Sequence, residues 1–145
     1  LTCLADCSRI APEAPAVAQR YFRYFPKTQV YFEQLGFRFY RLIPRRFHYN
    51  GGFATARWLG PERILRPSTL DQRAQADICS DLERTHQPLL RSWIPASEDG
   101  EDALHVAGAD QRGLDPRRGD QLTRIFFPHP MDTPAQFADY LEGLS

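Results

Sequence analysis

Two histidines stand where they could bind or activate a ligand. His48 lies between Phe47 and Tyr49, and an imidazole near neutral pH can ligate a metal or transfer a proton. His86 lies within a run of helical periodicity that begins at residue 72. A structural role is the more common explanation for both, because a histidine among apolar neighbours often needs a partner for one ring nitrogen only. A metal site needs several ligands and His86 stands alone, so no metal site is predicted.

A glycine pair and three arginines follow or flank the first of these histidines. Gly51 and Gly52 could let the backbone approach a cofactor closely, although glycine in a strand also marks a bend. Arg57 could hold a phosphate or carboxylate through paired hydrogen bonds, or lie in a solvated ion pair. Arg45 and Arg46 carry the same two interpretations. The predicted cofactor-binding residues are Arg57, Gly51, Gly52, His48 and His86.

The composition excludes several classes of protein. Hydrophobic residues make up 42% and charged residues 25% of the 145 residues, which is typical of a globular chain. The net charge is zero, which gives no electrostatic reason to expect nucleic acid as a partner. No apolar run approaches the ~20 residues that cross a bilayer. The odd cysteine count, with apolar neighbours, predicts free thiols in a reducing, cytoplasmic compartment.

The periodicity predicts an α+β fold in two parts. Apolar side chains alternate over residues 37–43 and 53–59, which indicates strands. Residues 45–50, after Pro44, are expected to form a separate strand that is joined to 53–59 or kinked at the glycine pair. Residues 72–93 have helical spacing, and Pro88 should kink or split the helix. A segment rich in Pro, Arg and Gly covers residues 61–71. We therefore predict a first domain at 1–60, a linker at 61–71 and a small α/β domain at 72–145.

Further elements are expected at both ends of the chain. Residues 1–10 form a strand pattern, and a helix should run from the prolines near residue 12 to about Phe25. Residues 103–110 and 121–127 each have the pattern of one strand. A final helix should begin at Asp132 or Thr133, with Pro134 in its first turn.

Two long stretches resemble known families. AVAQRYFRYFPKTQVYFEQLGFRFYRLIPRRFHYNGGFATARWL, from Ala16 to Leu59, resembles the second half of the haem-utilisation (HugZ-type) split barrel, a relative of pyridoxamine-phosphate oxidases. GADQRGLDPRRGDQLTRIFFPHPM, from Gly108 to Met131, resembles a small domain of unknown function (DUF2470-like) often fused to that barrel. The family barrel opens with N-terminal strands that have no counterpart here, so we expect its C-terminal part only.

The resemblance implies an antiparallel split β-barrel that forms a homodimer. It implies a flat anionic cofactor, FMN or haem, in a groove at the dimer interface, with flavin-type oxidoreductase or haem-degrading activity. Haem-degrading relatives place an axial histidine after the glycine-rich strand, and residues 59–85 contain none. This difference favours the alternative, a non-catalytic binding or regulatory module that keeps the barrel without the cofactor.

Overall fold

The computed structural model describes residues 1–11, 15–53, 55–94 and 103–144, and the fold is α+β, as predicted. Both of its sheets are antiparallel and open. The strands are β1 (Thr2–Arg9), β2 (Tyr40–Asn50), β3 (Ala56–Leu59), β4 (Leu104–Asp110), β5 (Gly113–Arg118), β6 (Gln121–Leu122) and β7 (Ile125–Phe126). The α-helices are α1 (Pro15–Tyr24), α2 (Gln29–Gln34), α3 (Gln72–Thr85), α4 (Gln87–Trp93) and α5 (Pro134–Glu142).

The chain divides into two compact units. The first comprises Leu1–Val17 and Val30–Pro67, and the second comprises Ala18–Gln29 and Ser68–Ser145. Residues 18–29 thus pack with the second unit although they precede β2 in the chain. The domain limits inferred from composition, with a linker at 61–71, stay a prediction.

The first unit is built on a three-stranded sheet in the order β1-β2-β3. The sequence pattern suggested a strand over 37–43 and a separate strand after Pro44. Instead β2 is continuous through Pro44 and begins at Tyr40. A β-bulge makes this possible: the register with β1 shifts between Leu4 and Ala5, and Ala5 faces Pro44. At a bulge the ladder is locally interrupted, so the missing N–H of proline costs little.

The second unit packs helices α3, α4 and α5 against the sheet of β4 to β7. Side chains exposed by no more than 4% form the centre of this core: Leu70, Cys79, Leu82, Leu90, Ile94, Val106, Ala109, Leu114, Phe137 and Leu141. Side chains cap the starts of α3 and α5, the second of them at the predicted Thr133. Asp71 accepts a hydrogen bond from the Ala74 amide at the start of α3, and Thr133 and Gln136 form a capping box at the start of α5. Pro88 lies in the first turn of α4, so the split after Thr85 is confirmed.

The segment predicted as one strand over residues 121–127 forms two short strands. Both β6 and β7 pair with β5, and the pairings have the same register. The gap lies opposite Pro116, which accepts a hydrogen bond from the Thr123 amide at 3.0 Å. Because proline has no N–H, it cannot return the second bond of the ladder. One residue in the partner strand therefore explains the interruption.

Candidate functional site

Three side chains on one face of the first sheet form a compact aromatic and cationic cluster. His48 and Trp58 are direct partners in the β2–β3 ladder, so they share a face of the sheet. Their ring centroids lie 4.9 Å apart. Arg46 is two residues before His48 and shares the face, and its guanidinium carbon is 5.1 Å from the centroid of the Trp58 ring. We call Arg46, His48 and Trp58 the tryptophan face.

The tryptophan face offers three kinds of interaction at once. The Trp58 side chain is 47% exposed, so its ring can contact a flat molecule. A guanidinium that lies over a ring keeps its N–H edges available for an anion. His48 is half-buried, and within the described residues its imidazole contacts the Trp58 ring and forms no side-chain hydrogen bond. An imidazole, an indole and a guanidinium within contact distance suit a flat ligand that carries an anionic group.

Arg57 lies on the opposite side of the same ladder. Its partner across the strands is Tyr49, and its guanidinium carbon lies 5.9 Å from the centroid of that tyrosine ring. Adjacent positions of a strand point to opposite faces. The structure therefore separates Arg57 from His48 and brings Arg46 to His48 instead.

Gly51 and Gly52 form the turn that joins β2 to β3. Gly52 has a φ of 109°, a backbone conformation that glycine adopts without strain. The Gly51 amide donates to the Thr55 carbonyl at 3.3 Å. A Cβ at Gly51 would lie 2.6 Å from the Tyr49 hydroxyl oxygen. Gly52 thus has a conformational reason to be present and Gly51 a steric one, and their part in binding a cofactor stays a prediction.

His86 lies in the second unit, at the junction of two helices. Its amide donates to the Leu82 carbonyl at 3.0 Å, and its own carbonyl accepts from the Leu90 amide at 3.0 Å. The residue therefore closes α3 and opens α4 through its backbone. The proposed ligand role of its imidazole stays a prediction.

The sequence did not single out Trp58. Cross-strand register places it beside His48, and a register is a property of the folded sheet. The available signal was the alternation of Trp58 with Arg57 and Leu59 in a strand that follows a glycine pair. That pattern identifies a strand but not the partner of any of its residues.

A second polar cluster lies inside the second unit. The Tyr24 hydroxyl donates to Asp115 at 2.7 Å. Arg124 donates to both oxygens of Asp115 at 3.0 Å and to Asp110 at 2.6 Å. Burial, together with the bond to Asp115, raises the pKa of Tyr24 to about 12, so the phenol stays protonated near neutral pH. The cluster connects residues 18–29 to the sheet of the second unit, and its geometry is that of a stabilising hydrogen-bond network.

The same cluster changes the pKa of the Asp110 carboxyl group. Its partial burial alone would raise its pKa, but the hydrogen bond from Arg124 and the backbone amide of Arg112 outweigh burial and lower the pKa. A lowered pKa in the folded chain means that this carboxylate stabilises the fold above its ordinary pKa. That contribution is lost as the pH falls through the lowered value.

The three cysteines differ in their exposure. Cys3 and Cys7 are exposed, whereas Cys79 is buried, and burial raises the pKa of the Cys79 thiol to about 11. The thiolate is the reactive form. We therefore expect Ellman's reagent at pH 8 to modify Cys3 and Cys7 of the folded protein rapidly, and Cys79 only after denaturation. Peptide mass mapping identifies the modified sites, and rapid native labelling of Cys79 would contradict its burial.

In the described ranges, no helix is long and apolar enough to span a membrane. Across the same residues, no three His, Cys, Asp or Glu side chains are grouped to hold a metal ion.

Comparisons with known proteins place the chain by its fold alone. No protein-family profile matches it, and no curated sequence matches it. The structure is similar to the protein Atu2129 from Agrobacterium tumefaciens str. C58, of unknown function, with a TM-score of 0.64 and 20% identity over 97% of this chain and 59% of that one. A haem-binding protein from Mycobacterium smegmatis matches with a TM-score of 0.46 and 19% identity, over 95% of this chain and 60% of that protein.

The chain thus spans about three fifths of the length of either structure. Likeness at this identity shows a shared fold with Atu2129 and no shared activity. Membership of the haem-utilisation family stays an expectation based on the two resembling stretches.

Proposed function

We propose that the first unit belongs to a split-barrel protein and binds a flat, anionic cofactor on the tryptophan face, with haem as its ligand. One observation carries the proposal: Arg46, His48 and Trp58 meet on one face of the sheet. The Trp58 ring can stack on a planar macrocycle, and the Arg46 N–H groups can pair with a carboxylate. The His48 imidazole would be the group that could ligate the haem iron.

The residues present fit a carboxylated, planar cofactor better than a nucleotide. The described part of the tryptophan face has one guanidinium group and no glycine-rich turn at a helix start, which is the usual cradle of a phosphate. Bound haem would supply redox chemistry, and the protein would supply position and charge. Arg46 would orient the cofactor through its anionic edge, and Trp58 would shield one of its faces from water.

The proposal includes a second copy of the chain. β1 and β3 are the edge strands of the first sheet in the described structure. Leu4 and Ile43, which the β1–β2 register places on the same face as Arg46 and His48, are 50% and 46% exposed. Exposed apolar side chains beside open strand edges favour association with another chain. A groove between two copies would cover the tryptophan face, in keeping with the homodimer that the family resemblance implies.

An absorption titration of the purified protein tests the choice of ligand. Haemin and FMN are added separately, and spectra are recorded at each step. We expect a shifted Soret band with haemin, saturating at micromolar concentration, and no perturbed flavin spectrum. A perturbed flavin spectrum with no Soret shift would replace haem by FMN. Failure of both ligands to bind would refute the proposal and leave the non-catalytic module.

A further inference from the structure

The second unit contains a groove between α3 and α5. Its volume is about 590 Å³, which is in the range of ligand and peptide sites. Ala74 and Ala138 stand on its two walls, and their short side chains leave the space between the helices open. Its floor consists of apolar core side chains, namely Ile78, Leu82, Phe137 and Leu141.

The wall formed by α3 carries more acidic than basic side chains. Asp71, Asp77 and Asp81 line the groove together with Arg73 and Arg84. Each arginine pairs with a neighbouring aspartate of the same helix, and all four side chains are more than half exposed. Exposed pairs of this kind contribute little energy. They leave the acids available to an incoming cation.

The α5 residues that line the groove are uncharged, and α5 adds an acid at the edge of the groove. The helix sequence PAQFADYLE contains Asp139 and Glu142 and no basic residue. Glu142 lies four residues after Ala138, which places it on the same side of the helix as the groove wall. Because the whole chain has a net charge of zero, this helix pair concentrates negative charge around an apolar floor.

We propose that the α3–α5 groove binds an amphipathic helix of a partner protein, with an apolar stripe flanked by Lys or Arg. A third helix can place its apolar ridge between two others, and a helix in an apolar groove is a common mode of peptide recognition. The acidic rim is complementary to the basic flanks, which sets the specificity and speeds association. This function is independent of cofactor binding in the first unit.

Two synthetic peptides test the proposal with the full chain. The first is an amphipathic helix with Leu at positions i, i+3, i+4 and i+7 and with Lys flanks. The second has the same sequence with each Lys replaced by Glu. Calorimetry gives the affinities, and amide NMR shifts locate the site. We expect the Lys peptide to shift residues of α3 and α5 and to bind at least about tenfold tighter than the Glu peptide.

Two matched substitutions on α5 test whether the peptide binds in the groove. Ala138→Phe fills the groove and should weaken the Lys peptide at least about tenfold. Ala135→Phe, at an exposed position of α5 outside the groove lining, should leave the affinity within about twofold. Equal binding to both variants, equal binding of both peptides, or shifts outside α3 and α5 would overturn the proposal. A dimer that Ala138→Phe dissociates in sedimentation would assign the groove to a second copy instead.

Discussion

Asp115→Ala is expected to lower the free energy of unfolding by about 3 kcal/mol, because it removes one member of a partly buried charge cluster. Asp115 accepts from the Tyr24 hydroxyl and from Arg124. The Asp115 side chain is 14% exposed and that of Arg124 is 27% exposed, so water replaces the lost contacts only in part. The substitution leaves Arg124 with Asp110 alone and the Tyr24 hydroxyl without its acceptor.

Urea unfolding of the full chain measures this loss. Asp120→Ala is the matched control, because Asp120 pairs with Lys27 through side chains that are 72% and 78% exposed. The control should change stability by less than about 0.5 kcal/mol, as exposed ion pairs do. Similar losses for both variants would show that the Tyr24–Asp115–Arg124 cluster contributes no more than a surface pair.

Gly108→Ala is expected to destabilise the second unit by about 2 kcal/mol through a steric conflict. A Cβ at this position would lie 1.8 Å from the Tyr24 hydroxyl oxygen and 2.6 Å from Cζ. The ring can relieve the conflict only by moving away, which breaks its bond to Asp115. Gly108 also faces Asp115 across the β4–β5 ladder, so the strand cannot readily give way.

A double-mutant cycle assigns the cause of that effect. In a Tyr24→Ala background the clash disappears, and Gly108→Ala should then cost less than about 1 kcal/mol. Gly143→Ala is the control, because a Cβ there would approach no atom closer than 3.5 Å. An undiminished effect in the Tyr24→Ala background would show that the glycine is needed for the strand and not for the tyrosine.

Local chemistry in the sequence predicted most of the helices. The starts of α3 and α5 are fixed by side chains within three residues of the caps, Asp71 and Thr133, and Pro88 divides α3 from α4 because it cannot continue a helix. The strands were predicted less accurately from the sequence. Pro44 was expected to end a strand, yet a partner strand with a bulge accommodates it. Pro116 interrupts a strand that lies opposite it in the sheet.

The candidate site could be predicted only in part, for the same reason. His48 was identified by its residue type, whereas its neighbours on the tryptophan face depend on the β2–β3 register. In the same ladder, Arg57 lies on the face of the sheet opposite His48. Contacts between residues far apart in the sequence could not be predicted either. Tyr24 and Asp115 are 91 residues apart, and no local pattern in the sequence indicates that they form a pair.

The binding of a cofactor on the tryptophan face is tested most directly by the Soret spectrum of the haemin complex of His48→Ala. Wild type, His48→Ala and the controls His86→Ala and His105→Ala are titrated with haemin under the same conditions. We predict that His48→Ala loses the shifted Soret band and binds at least about tenfold more weakly, while both controls match the wild type. An unchanged band and affinity in His48→Ala, or a loss confined to His86→Ala, would contradict the assignment.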